Sequence, residues 1–148
     1  MKGVKGWLIL WVGLTLNLNA DQQPSEEVAF SNAWVKMPMP GMNMTAGFVD
    51  LKNLTNVELR VTAVKTPYSA MSELHEMVMA NAVMQMRHVP QGWVIAPGAT
   101  LSLVPGGKHA MLMGINPAFL NQTMTLLEFN IEGIGWVSVP AVIKKTTP

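Results

Sequence analysis

Every histidine in this 148-residue chain stands two positions from a methionine. His75, Met77 and Met79 recur at period two, as do Met84, Met86 and His88, and again His109, Met111 and Met113. Period two is the side-chain repeat of a β-strand, so each run would present imidazole and thioether groups on one face. Thioether sulfur is soft, polarisable and uncharged, and so favours Cu(I) over hard cations such as Mg²⁺ or Ca²⁺. Imidazole binds Cu(I) and Cu(II) alike. Thioether has no proton to lose near neutral pH, which leaves the histidines as the only acid-sensitive donors in such a set.

The chain holds 13 methionines and no cysteine, and the 12 beyond Met1 all lie between Met37 and Met124. Without cysteine there is no disulfide framework, lipid-anchoring thiol, thiol catalysis or thiolate zinc site, and no blue-copper electron-transfer centre. A metal site here must use His, Met or carboxylates. A thiolate-free site also survives oxidising surroundings better, although methionine still goes to sulfoxide. Methionine at alternating strand positions is ordinarily adaptable core filler, and Met71, Met79 and Met124 are assigned to that role. Met37-Pro38-Met39-Pro40-Gly41-Met42-Asn43-Met44 must be a loop, because two prolines and a glycine forbid a regular helix. Two readings of it stand: a Met cluster that captures Cu(I) or covers the site, or an apolar loop packed on the end of the fold.

The elements that must position these groups are short. Strand-like runs span 29–36, 46–52, 58–64, 73–79, 83–89, 100–104, 108–113, 124–131 and 136–143, divided by Pro40-Gly41, Asn53 to Asn56, Pro97-Gly98, Pro105-Gly106-Gly107 and Gly133 to Gly135. Leu127, Phe129 and Ile131 would share one face of their strand, and Val137, Val139 and Ala141 one face of the last. No stretch after the N-terminal segment keeps a helical apolar period for three turns. Many short strands at this spacing predict an all-β sandwich.

The N-terminus has the form of a secretory signal. Lys2 and Lys5 precede ten mostly apolar residues, Trp7 to Leu16, and Ala20 offers a cut before Asp21. Ten residues fall far short of the roughly 20 that a membrane-spanning helix needs. The expected organisation is a signal peptide over 1–20, a flexible leader over 21–27 and one β-domain over 28–148, with no transmembrane segment in the mature chain. Without Lys2 and Lys5 the balance is eight basic residues against nine acidic. No basic stripe exists for nucleic acid, and no charge run suggests a membrane-surface helix.

The segments Glu73 to Met79, Val83 to Arg87 and Pro105 to Met113 resemble the periplasmic copper chaperones of the PCuAC family. That family carries a first histidine, a methionine eleven positions on, and a distal His-x-Met; here these fall on His75, Met86, His109 and Met111. The likeness covers about 29–143, including Ala46-Gly47-Phe48 and the Gly-rich turn before His109. It implies a cupredoxin-like Greek-key β-sandwich, periplasmic localisation, and His75, Met86, His109 and Met111 as Cu(I) ligands. It further implies a non-enzymatic metallochaperone that delivers copper to cytochrome c oxidase, at the dinuclear centre of its subunit II, or to a thioredoxin-like copper protein. Two departures stand out. The sequence ends Lys144-Lys145-Thr146-Thr147-Pro148 rather than in a His- and Met-rich tail, so no separate Cu(II) site is expected there. His88 follows Arg87 where proline is expected, and is either a spare ligand or an exposed residue.

Competing functions use the same residues differently. A copper buffer for copper tolerance would share the site but lack a recipient. A copper oxygenase would rely on a mature N-terminal histidine, whereas cleavage after Ala20 exposes Asp21. In a metal-free adhesion or carrier sandwich the His/Met pattern would be incidental. Glu76 and Lys108, beside the ligand candidates, are expected to be solvated strand-edge charges.

Overall fold

Alternating burial along the chain sets the architecture. The computed structural model describes residues 27–146; the expected signal peptide and nearly all of the expected leader lie outside the described residues. Ten strands follow in order: β1 (Val28–Lys36), β2 (Met44–Asn53), β3 (Leu59–Lys65), β4 (Ser69–Ala80), β5 (Val83–His88), β6 (Trp93–Ile95), β7 (Thr100–Leu103), β8 (His109–Ile115), β9 (Met124–Ile131) and β10 (Gly135–Lys144). They hydrogen-bond in the order β5-β4-β8-β2-β1-β10-β9-β3-β6, with β7 also on β2. β3 packs against β4 without pairing to it, so the sheet curls back over itself and closes a sandwich around one core.

Strand β2 is the pivot of this arrangement. Its first half, Met44 to Gly47, pairs with β8, and its second half, Val49 to Lys52, pairs with β7. The Gly-rich turn between β7 and β8 is what lets both run along one strand. Val104 N–H bonds to the Lys108 carbonyl at 2.9 Å, Gly107 N–H returns to the Val104 carbonyl at 3.0 Å, and Gly106 takes a φ of 81°. That turn delivers His109 as the first residue of β8.

The core consists of the inward rows. Leu127, Phe129 and Ile131 of β9 are fully buried on one face, with Val139 and Ala141 of β10 beside them. Leu74 of β4 and Ala110 and Leu112 of β8 contribute the inner face of the sheet that carries the histidines on its outer face. Full burial of one such side chain contributes on the order of 1.5–3 kcal/mol. The opposite corner is held by a buried polar residue. Asn53 donates to the carbonyls of Val57 (2.7 Å) and Ile95 (2.9 Å) and accepts from the Thr55 N–H (2.9 Å) and hydroxyl (2.7 Å).

Three features differ from the sequence expectations. Strand β6, three residues between Gly92 and Pro97, shows too little alternation to be seen in sequence, and it forms because it pairs with β3. Gly92 makes this possible: its φ is 69°, and a Cβ there would lie 1.7 Å from the Val61 carbonyl oxygen. A 3-10 turn at Pro117–Asn121, capped by Asn116, buries Phe119 against Tyr68. Finally, Met71, Met79 and Met124 are not core filler; each is at least half exposed, because the register places all three on outward rows. Among the described residues no helix is long and apolar enough to cross a membrane.

Candidate metal centre

Antiparallel pairing joins the three His/Met runs into one surface. Across β4 and β5, His75 lies opposite His88, Met77 opposite Met86, and Met79 opposite Met84. Across β4 and β8, His75 lies opposite His109, Glu73 opposite Met111, and Met71 opposite Met113. β2 adds Ala46 beside Met111 and Met44 beside Met113. Residues directly opposite share a face, so His88, His75 and His109 form a single row crossing three strands, with the Met77–Met86 row on one side and the Glu73–Met111 row on the other. The alternate residues of β4 and β8 face the core, which fixes the register: a slip of one position would bury the imidazoles and expose Leu74 and Leu112.

His109 is buried, with 5% of its surface exposed. Its Nδ1 lies 3.1 Å from the Gly107 carbonyl oxygen. A carbonyl only accepts, so the proton sits on Nδ1 and the lone pair on Nε2. Burial holds the His109 pKa below its ordinary value of 6.5, partly offset by the Gly107 hydrogen bond. The ring is therefore neutral at physiological pH, the form in which it can ligate a metal.

His75 is arranged in the opposite sense. Its Nε2 lies 2.7 Å from Glu73 Oε2, and the hydrogen bond from His75 holds the Glu73 carboxyl below its usual range. The carboxylate accepts, so Nε2 carries the proton. Nδ1 is buried and without a hydrogen-bond partner. An unpartnered buried polar atom of this kind costs about 1–3 kcal/mol, a cost a bound ion would remove. A carboxylate behind a ligating imidazole also fixes the ring and raises its basicity. Glu73 is the residue that sequence inspection passed over; its signal was a carboxylate two positions before His75 and hence on the same strand face.

The ring centroids of His75 and His109 are 5.9 Å apart. With metal–nitrogen bonds of about 2.0 Å, two imidazoles on one ion have centroids no more than roughly 6.3 Å apart. The pair meets that limit as it stands. His75 and His88 are also close, at 5.5 Å, so distance alone does not choose between them. Exposure and hydrogen bonding do. His88 is exposed, and its Nδ1 faces the same Glu73 carboxylate at 3.8 Å.

Met86, His109 and Met111 line one cavity of about 220 Å³, together with Met37, Met39 and Met42 from the loop between β1 and β2. His75 does not line it and stands one strand away from His109. The loop thus divides its methionines. Met37 packs against the core as well as lining the cavity, whereas Met39 and Met42 line it while more than half exposed. A turn with Met42 N–H on the Met39 carbonyl (2.9 Å) and Gly41 at φ 80° holds it there.

Glu76 is not a free edge charge, contrary to expectation. It pairs with Arg87 directly across β4 and β5, and that guanidinium keeps its carboxyl below the usual range. This ion pair lies on the face away from the methionines. Among the described residues no three His, Asp or Glu side chains gather as a hard-cation site. The donors present are two imidazoles and several thioethers, a set that fits a soft monovalent ion.

The fold has solved counterparts. The copper-bound PCuAC domain from PmoF2 matches with a TM-score of 0.65 at 17% identity, covering 81% of this chain and 94% of that one. The apo PCuAC domain from PmoF1 matches with a TM-score of 0.66 at 17% identity, covering 81% and 95%. The solution structure of CuI-DR1885 from Deinococcus radiodurans gives 0.59 at 24% identity, covering 87% and 84%. At these identities the likeness establishes the cupredoxin-like β-sandwich. In sequence the chain is 34% identical over 134 residues to the protein named Putative lipoprotein Lxx21020 of Leifsonia xyli subsp. xyli (strain CTCB07), covering 86% of this chain and 80% of that protein. The family model described as Putative lipoprotein LpqE-like matches residues 28–143, and the chain belongs to that LpqE-like family.

Proposed function

We propose that this protein is an exported Cu(I)-binding metallochaperone that holds the ion with His75, His109, Met86 and Met111 and releases it by ligand exchange. The observation that carries this reading is the His75–His109 pair: two imidazoles each held through one nitrogen, by Glu73 and by Gly107, with His75 Nδ1 buried and unpartnered and methionines in the neighbouring rows. The names of the structural neighbours support it, since one is a copper-bound PCuAC domain and another is the Cu(I) form of DR1885. Export is supported by the lipoprotein names of the family and the relative, and the periplasm is the compartment the N-terminal sequence suits. Any lipid anchor on this chain would not use a cysteine of these 148 residues.

Transfer requires no bond of a substrate to be broken, so the role is not enzymatic. The ion sits at the outer face of the sheet, where an incoming soft ligand of the acceptor adds before a methionine leaves. Thioether donors hold Cu(I) less tightly than thiolates, so passage to a cysteine-bearing acceptor runs downhill. The dinuclear copper centre of cytochrome c oxidase and a thioredoxin-like copper protein are acceptors of that chemistry.

Anaerobic competition of the chain against a chromophoric Cu(I) chelator tests the reading. The wild-type chain withdraws Cu(I) from the chelator, and the His109→Ala, Met111→Leu variant loses more than about 100-fold in affinity at its tightest site. An unchanged competition curve for the variant, or no withdrawal by the wild type, would end it. Loss of copper from the loaded chain to a dithiol acceptor domain, faster than dissociation into chelator, separates delivery from storage.

A further inference from the structure

The β4–β5 hairpin runs past its neighbour. β8 begins at His109, opposite His75, and the last contact on that side is Met77 N–H to the Gly107 carbonyl at 3.3 Å. From Val78 to Gln85 the hairpin is a two-stranded ribbon, closed by a tight turn in which Asn81 and Ala82 both take positive φ (50° and 61°). That is the type I′ geometry that matches strand twist and keeps such a ribbon in register.

The outer face of this ribbon carries methionine only. Met77 faces Met86, and Met79 faces Met84 in the next row. Met79 is 65% exposed, Met84 48% and Met86 49%, so these side chains are largely open to solvent, while Met77 is half-buried beside them. Opposed residues have Cβ atoms about 5 Å apart, and diagonal neighbours about 7–8 Å. Thioethers on flexible three-torsion stems span those gaps to converge on one ion. No carboxylate lies in these two rows to favour a hard cation, and the one charged pair of the ribbon, Glu76 with Arg87, is on the opposite face and self-neutralised.

We propose that Met77, Met79 and Met84 form a second, outer site for a soft monovalent cation, Cu(I) or its redox-inert counterpart Ag(I), on the projecting end of the hairpin. It meets the inner set at Met86, which lies opposite Met77 and between Met84 and His88 along β5. An ion caught on the ribbon thus has a continuous row of thioethers leading toward the histidine row. The outer site uses no histidine and stands independently of the inner one.

Ag(I) titration of the full chain, followed through the ε-methyl NMR signals of the methionines, tests this. The expected result is two bound equivalents, with the methyls of Met77, Met79 and Met84 shifting together for one of them. The Met77→Leu, Met79→Leu, Met84→Leu variant, close in volume and on an exposed face, loses that equivalent and keeps the other. The His75→Ala, His109→Ala variant does the reverse: it retains the equivalent that moves the three hairpin methyls. Two outcomes overturn the outer site: hairpin methyls that stay in place while His-dependent binding persists, which would make the thioethers a docking face for a protein, or a triple variant that still binds two equivalents. Hairpin shifts in the histidine variant uphold it even where the inner site fails.

Discussion

Two corners of this sandwich bury polar side chains, and they do so in opposite ways. At Asn53, every donor and acceptor of the amide is matched, to Val57, Ile95 and Thr55, and the residue is fully buried. At the His75–His109 row, each ring has one nitrogen matched, and at His75 the other is buried without a partner. A buried polar group left unmatched destabilises the fold, so the second corner carries a cost the first does not. Both corners rest on the same alternating strands and the same core. What differs is that Asn53 is closed off by loop backbone, whereas the histidines sit on the outer face between methionines and the one carboxylate of Glu73. The comparison teaches that unmatched nitrogen beside thioether marks a ligand site here, and matched amide marks a structural one.

The largest expected effect that would sharpen this contrast is at the closed corner. Asn53→Ala removes the donors that serve two carbonyls and should lower stability by about 2–4 kcal/mol, while the folded fraction keeps wild-type Cu(I) affinity. Chemical denaturation together with chelator competition checks both halves. A large affinity loss in the folded protein would break the comparison.

At the open corner the effects reverse. Glu73→Ala leaves His75 Nε2 without its acceptor and should weaken Cu(I) binding by about 10–100-fold, as loss of an outer-shell partner does elsewhere. Thermal stability of the metal-free chain should change little, since Glu73 lies at the partly exposed surface. The loop comes next. Met39→Leu with Met42→Leu preserves bulk over the cavity but removes sulfur, and stopped-flow release of Cu(I) should become a few-fold faster. Unchanged affinity and release would reduce the loop to a hydrophobic cover.

The smallest effect concerns acid. His109 has its folded pKa depressed by burial, so between that value and the ordinary 6.5 the unfolded chain binds a proton that the folded chain does not. Stability of the metal-free chain should therefore decline as pH falls below about 6.5. A further decline belongs to Glu73 and Glu76, whose carboxyls are held low by His75 and Arg87; their contribution fades as pH drops below the ordinary 4.5 toward their folded values. The same depression means that protons compete for His109 later than for an exposed histidine, so Cu(I) binding should persist into mildly acidic solution. Denaturation midpoints from pH 7.5 to 4 measure the stability part, and His109→Phe should flatten the upper of the two declines.

Most of the scaffold was legible because burial and alternation coincide: the run from Leu127 to Ile131 shows both in sequence and in structure. Strand β6 was not, since three residues carry no period and its existence depends on β3. The three His/Met ladders were visible singly. That they merge into one face depends on inter-strand register, which local sequence does not contain. The same missing register explains Met71, Met79 and Met124: methionine is core filler or surface ligand according to the row it falls in, not according to its type. Glu76 read as a free charge for a similar reason, its partner Arg87 being eleven residues away across a hairpin.

The most direct test of the account is the imidazole ¹⁵N NMR spectrum of the chain carrying one equivalent of Cu(I) under anaerobic conditions. The account predicts that His75 Nδ1 and His109 Nε2 move to metal-bound positions while His75 Nε2 and His109 Nδ1 remain protonated and His88 is unchanged. A first equivalent that leaves both rings untouched, or that moves His88 in place of His75, would contradict it.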